Sequence, residues 1–456
     1  MDNSYVGIIK KALPLSISLF AIMSFNIVDS YFLGNVGKQE LSAITLVYPL
    51  TLIVSCLNFG MSSALNSIVS RFNGKGDHFS MAQQSYSAML INLLSSIIVI
   101  ALLIFGGQLL FKILNVPDEV VVQLTQYMDI WVLSVPLIGL PIIMNSALKG
   151  SGDTLTPSVL VVGTSLINVF LDYAFIVERV WSDLSPMQGA AMATFIARVI
   201  MTASLLFIFH RRFKLDLNGL KKNLSDKKFY SSFFGLAFPS TLIALITPAL
   251  VTLITSTIAK EGSVSITLFG VTSRVEAMIG VFTISLSGAM AILFGYQCGK
   301  GDLSTVIKLK RKGYVLIGIY MIFSILGVYI FSANVADSFN LDKAHFDRFL
   351  KLLTLTSLTI GLKGVFSLNS SLFNSVGRPK FSLYQVVAQS CVFLLFYYVF
   401  GMNRNSIEGA IHAQLYSFGA VLLLSSFFLN EDMLRKIEAG NITVKGIFKR
   451  KFKQAA

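Results

Sequence analysis

Charged residues are what this 456-residue sequence has least of: Asp, Glu, Lys and Arg together make up 13%, about half the share usual in a soluble domain. That level excludes an ordinary soluble enzyme and a disordered chain alike, since neither stays dispersed with 54% hydrophobic residues and so few ions. Cysteine is as scarce. Cys56, Cys298 and Cys391 stand apart, with no CxxC pair and no histidine at ligand spacing, which excludes a disulfide framework and a zinc site. HExxH, GxSxG and P-loop patterns are missing, so no motif marks an enzyme. A cleavable leader is missing too: Lys10 and Lys11 run into an apolar stretch containing Pro14, and the first helix reads as retained.

What the sequence has in abundance is apolar length. Stretches between charged or turn-rich breaks fall at 9–33, 42–70, 82–111, 121–147, 155–178, 187–210, 231–258, 264–297, 305–332, 346–373, 380–400 and 406–429. Each approaches or exceeds the roughly 20 residues needed to span a bilayer as a helix. The expected class is an all-α membrane protein with twelve transmembrane helices.

The net charge of +14 orients it. With both termini in the cytoplasm, 26 of the 37 basic residues fall in inside loops and tails, eight fall outside, and Arg198, Arg274 and Lys363 remain within spans. That is the positive-inside bias of a multi-pass membrane protein, not a nucleic-acid surface. The basic end KGIFKRKFKQ at 445–454 reads as a solvated cytoplasmic tail that can also meet anionic lipid.

The chain also repeats itself. GKGD occurs at 74–77 and again at 299–302, a displacement of 225 residues. Pro14 of ALP and Pro239 of AFP share that displacement, as do Gly152 and Gly377. Six spans per copy return the chain to the same side, so the copies are parallel repeats about an axis along the membrane normal. The expected organisation is an N-lobe over 1–210, a basic cytoplasmic linker over 211–230, a C-lobe over 231–430 and a basic tail over 431–456, with the lobes flanking a central cleft suited to alternating access.

Ionisable groups inside spans are costly, about 2.5–3.5 kcal/mol each on insertion scales, and need a partner or a function. Asp29 lies in span 1 and Asp172 in span 5. Asn168 precedes Asp172 by four residues and so shares its helix face; Asn26 precedes Asp29 by three. An amide one turn from a carboxyl can donate to it, or can join it around a proton or small cation. Each aspartate either bonds a neighbouring helix or carries a coupling ion. The second half has no acidic counterparts, since Ile254 and Tyr397 hold the equivalent positions. Glu276 and Arg274 in span 8 are two residues apart, on different sides of a helix, and each is expected to find its partner elsewhere; Arg198, Lys363 and His412 are open between packing and function. Pro14 permits span 1 to bend.

These features together, ALPLSISLF followed by IVDSYFLG, then GKGD, LKGSGDTLTP, NVFLDYAF and GAAMATF, resemble the multidrug and toxic compound extrusion (MATE) family over nearly the whole chain. Within it the sequence looks like the DinF-type branch. That resemblance implies proton coupling at Asp29 and Asp172 with Asn168 beside them, Thr194, Tyr127 and Asn145 as lining residues, and a bend of the first helix at Pro14. It implies antiport without a cofactor or resident metal, with H+ as coupling ion and Na+ as the alternative. The substrates are then small amphipathic or cationic drug-like compounds, and one chain is the working unit. The sequence departs from the NorM-type branch, which carries carboxylates in spans 7 and 10; neither span holds one in its core here. A lipid-linked oligosaccharide flippase of similar architecture remains the other transport reading.

Overall fold

The computed structural model describes the chain except residues 114–117, 182, 340–342, 400–406 and 427–456, so the basic tail lies outside the described residues. Among the described residues fourteen α-helices follow one another: α1 Tyr5–Val36, α2 Lys38–Lys75, α3 His78–Ile113, α4 Asp118–Trp131, α5 Val135–Gly150, α6 Leu155–Asp172, α7 Pro186–Arg212, α8 Leu217–Ser225, α9 Lys227–Ile258, α10 Ser263–Lys300, α11 Leu303–Ser338, α12 Phe346–Ser375, α13 Pro379–Tyr397 and α14 Ile407–Ser426. Twelve stretches among the described residues are long and apolar enough to cross a membrane, with α4 and α5 together making the fourth and α8 standing outside the set. Several helices overrun the apolar lengths read from sequence; α2 covers 38–75 where 42–70 was expected. Polar residues at its ends, such as Gln39 and Lys75, continue the helix beyond the hydrophobic segment.

The repeat is visible in backbone detail. Gly76 and Gly301 end α2 and α10 in the left-handed region, at φ 73° and 75°. The following aspartates close the same pair of bonds: Gly76 N–H to Asn73 O and Asp77 N–H to Phe72 O, against Gly301 N–H to Cys298 O and Asp302 N–H to Gln297 O. Gly152 and Gly377, at φ 99° and 81°, repeat the pattern after α5 and α12. Glycine is required at these four places because side chains are strained there.

Asp77 and Asp302 then cap α3 and α11. Asp77 accepts from the hydroxyl and backbone N–H of Ser80, and Asp302 accepts from the backbone N–H of Thr305 and the hydroxyl of Ser304. Hydrogen bonds from Ser80 hold the Asp77 carboxyl below its usual 3.8, and bonds from Thr305 do the same for Asp302. A carboxyl with a lowered native pKa stabilises the fold above its ordinary value, and that contribution fades as pH falls through the lowered one. Alanine at Asp302 is therefore expected to cost about 0.5–1 kcal/mol at neutral pH. The gap to wild type should stay constant from pH 7 to 5 and close only below about 3.8, as thermal unfolding across pH would reveal.

Two compact units divide the chain, Ile17–Thr241 and Met1–Ser16 with Leu242–Ala456. The divisions fall inside α1 and α9. In the first unit a core of Leu65, Val69, Ile143, Met144, Phe209 and Phe233 joins α2, α5, α7 and the start of α9. Gly60 permits that last approach, since an added Cβ would meet Thr241 Oγ1 and come 2.7 Å from the Ala237 carbonyl oxygen. In the second unit Ile8, Ala12 and Leu15 of α1 pack with Leu286, Met290 and Phe294 of α10.

The basic stretch after α7 holds a helix of its own. Asp216 accepts from the N–H groups of Asn218 and Gly219 to start α8, and Leu217, Leu220 and Leu224 recur at helical spacing.

Candidate functional site

The Ile17–Thr241 unit brings the two aspartates together. Asp29 comes from α1 and Asp172 is the last residue of α6. Phe32, one turn beyond Asp29, meets Tyr173, the neighbour of Asp172, at 6.3 Å between ring centroids. The carboxyls lie within electrostatic range of one another. In the same unit Leu33, Leu124, Tyr127, Trp131, Ile176 and Ala190 belong to one buried apolar cluster.

Asn168 donates from Nδ2 to Asp172 Oδ2 at 3.3 Å, as the spacing of four predicts. The other oxygen, Asp172 Oδ1, is buried and has no hydrogen-bond partner among the described residues, and Asp29 Oδ1 is in the same condition. A buried acceptor without a partner is costly. Each carboxyl therefore has one oxygen open to a proton or a small cation, with no existing bond to displace.

Tyr127 and Arg198 complete the group. Tyr127 of α4 is buried and senses the charges of Asp29, Arg198 and Asp172. Arg198 of α7 lies within electrostatic reach of Asp29, without a direct ion pair, and donates to Ser134 Oγ at 2.5 Å. Guanidinium stays protonated at any ordinary pH. With both carboxylates ionised the group carries a net charge of −1, and one added proton neutralises it.

Local backbone places these side chains. Pro136 has no N–H to return to Val132, and the chain tightens into a 3-10 turn over Val132–Ser134 between α4 and α5. Ser134, at the end of that turn, donates to Trp131 O at 2.7 Å and presents its oxygen to Arg198. A π-turn over Tyr173–Val177 follows Asp172 immediately, closed by Glu178 N–H to Tyr173 O at 3.1 Å. Such turns recur at functional sites.

Thr194 is buried one turn before Arg198 on the same helix, and Asn145 is buried on α5 with its Oδ1 unpartnered among the described residues. Among the described residues no hydrogen bond joins either to an aspartate. The side chain of Asn26 lies outside the described ones. Pro14 sits within α1, which is helical throughout Tyr5–Val36.

The sequence alone leaves Arg198 open between packing and function and does not single out Ser134. Two signals were present: Arg198 follows Thr194 by four residues, on one face, and Pro136 marks the tightened turn. In the second unit Lys363 of α12 forms an ion pair with Glu276 of α10, while Arg274 lies over the Phe339 ring at 5.9 Å. Glu276 and Arg274 thus find separate partners, as a spacing of two requires. Among the described residues no cluster of His, Cys, Asp or Glu is placed to hold a metal ion.

Comparison with known proteins is consistent with this architecture. Residues 14–174 and 239–399 each match the MatE family, and the two matches begin 225 residues apart, the displacement of the GKGD pair. The FAD transporter of Shewanella oneidensis is 23% identical over 416 residues, covering 89% of this chain and 90% of its own. The probable multidrug resistance protein NorM of Thermotoga maritima is 20% identical over 361 residues, covering 79% and 76%. The crystal structure of the Vibrio cholerae MATE transporter VcmN in the bent form superposes with a TM-score of 0.86 at 20% identity, over 95% of this chain and 98% of that one.

Proposed function

The chain belongs to the MatE family, and from that premise we propose that it is a secondary active exporter of amphipathic, often cationic compounds, driven by proton entry at Asp29 and Asp172. The observation that carries the reading is the pair of carboxyls, from different helices of one unit, each with an unpartnered buried oxygen. A transporter of this family is not an enzyme and needs no cofactor; its work comes from an ion gradient.

In the outward-open state one proton neutralises the net −1 of Asp29, Asp172 and Arg198. The neutral group no longer holds a cationic substrate, α1 bends near Pro14, and the substrate leaves. Inward opening releases the proton, and the restored charge attracts the next substrate. Asn168 keeps Asp172 oriented through both states, and Thr194, Tyr127 and Asn145 line the path. This assignment follows the DinF-type pattern and a bacterial cytoplasmic membrane setting with both termini inside. One entering proton supplies about 1.4 kcal/mol per pH unit; exchanged for a monovalent cation it moves no net charge, so the membrane voltage adds nothing to that exchange.

Sodium is the competing coupling ion, because carboxylate and amide oxygens suit a hard cation equally well. In proteoliposomes given either gradient alone, efflux of a cationic dye is expected to follow the pH gradient and ignore sodium. Efflux that follows sodium alone overturns the proton assignment.

A second substrate reading rests on Arg198. With both carboxyls protonated, Arg198 leaves the group at +1, and this, together with similarity to a protein named as an FAD transporter, favours an anionic flavin nucleotide. Exchange of radiolabelled FAD across the same vesicles, with no exchange of the dye, would select it.

A further inference from the structure

A second site lies away from the aspartates, in the same unit, where the C-terminal end of α2 meets α3, α8 and the start of α9. A cavity of about 250 Å³ there is lined by Arg71, Phe72 and Lys75 of α2 and by Lys228 and Phe229 of α9. Gln84 of α3 and Asn223 of α8 close one wall, bonded to each other at 2.9 Å, and Asn223 donates onward to Ser87 at 2.7 Å. The linker helix is thereby pinned to α3 and shapes the cavity.

The charge is one-sided. Arg71, Lys75 and Lys228 face a single carboxylate, Asp226, whose Oδ1 already accepts from the Lys228 N–H at 2.9 Å. None of the three cations is in an ion pair among the described residues. Phe229 and Ile68 are buried and give the cavity an apolar floor, while Lys75 and Lys228 stand exposed at its mouth.

Positive-inside bias explains why basic residues gather at one end of the spans. It does not explain their convergence on one cavity with an apolar floor. Nor does the repeat: Tyr296 occupies the position equivalent to Arg71, and the basic linker follows only the first copy.

We propose that this cavity binds a phosphate-bearing anion, with Arg71 and Lys228 as the main contacts and Lys75 at the rim. A guanidinium matches two phosphate oxygens at once, and an ammonium opposite completes the charge balance. The apolar floor suits the glycerol and first methylenes of an anionic phospholipid. An occupant bridges α2 to the first turns of α9 and braces the linker between the repeats.

The test uses the purified full chain in a neutral detergent, titrated with dihexanoyl phosphatidylglycerol, dihexanoyl phosphatidylcholine and inorganic phosphate. Phosphatidylglycerol is expected to bind, and Arg71→Gln with Lys228→Gln to weaken it at least about tenfold. Lys221→Gln, on the exposed side of α8, should leave it unchanged. Binding of inorganic phosphate with the same sensitivity to the double variant also supports the site and assigns it to free phosphate. If the double variant does not fold, Arg71→Lys keeps the charge, loses the two-point geometry, and is expected to weaken binding severalfold. Equal binding of phosphatidylcholine, failure of both anions to bind, or unchanged affinity in the folded variants overturns the proposal.

Discussion

Asp172→Asn is expected to abolish accumulation against a gradient while leaving the protein folded. With two pH units imposed across a vesicle and no voltage, one coupled proton sustains a substrate ratio of about 100-fold; the variant should fall to a ratio of one. Asparagine keeps the shape of the side chain and its bond with Asn168, but it removes the oxygen that takes the proton. The group then holds Asp29 against Arg198 at zero net charge, as though permanently protonated, and the cycle has nothing to release. Folding should not suffer. Asp172 is fully buried with Oδ1 unpartnered, and removing a buried charge that is only half satisfied relieves a penalty. The melting temperature is expected to hold or rise. Normal pumping by a folded Asp172→Asn protein under the pH gradient would rule out the coupling role.

Much of this was legible from sequence, and for identifiable reasons. Apolar run length gives the spans directly because the bilayer imposes one thickness, and the GKGD pair gives the repeat because left-handed caps demand glycine at Gly76 and Gly301. Asn168 and Asp172 were a local pair, fixed by helical spacing. Contacts between distant segments were not. Arg198 has no sequence neighbour to announce Asp29 or Ser134, and Lys363 is remote from Glu276 along the chain. The linker looked like a plain charged connection because basic residues hide the leucine spacing of α8. The division of the units at Ser16 and Thr241 depends on packing along the lengths of α1 and α9, which apolar composition does not encode.

The most severe loss of stability is expected from Arg198→Met. Methionine keeps much of the side chain's bulk but removes the cation, leaving Asp29 and Asp172 as two buried carboxylates with a net charge of −2 and Ser134 without its charged donor. Arg198 acts on Asp29 through space and not in a direct ion pair, so the loss is expected to stay below the cost of a broken buried pair, about 3–5 kcal/mol. The variant can recover only by binding protons, so its stability relative to wild type should improve as pH is lowered. Adding Asp29→Asn restores the net charge to −1, with Asp172 alone ionised, and is expected to recover most of the loss. The double-mutant cycle therefore predicts a strong, favourable coupling between positions 29 and 198, well beyond the few tenths of a kcal/mol seen for independent sites. Asp172→Asn offers a second rescue of the same sign, since it removes the same unit of charge from the other side of the group. If unfolding shows either rescue and the same vesicles show no pumping, Arg198 is the charge that balances the carboxylates. If the single effects simply add, Arg198 serves Ser134 alone, and the count of one proton per cycle loses its basis.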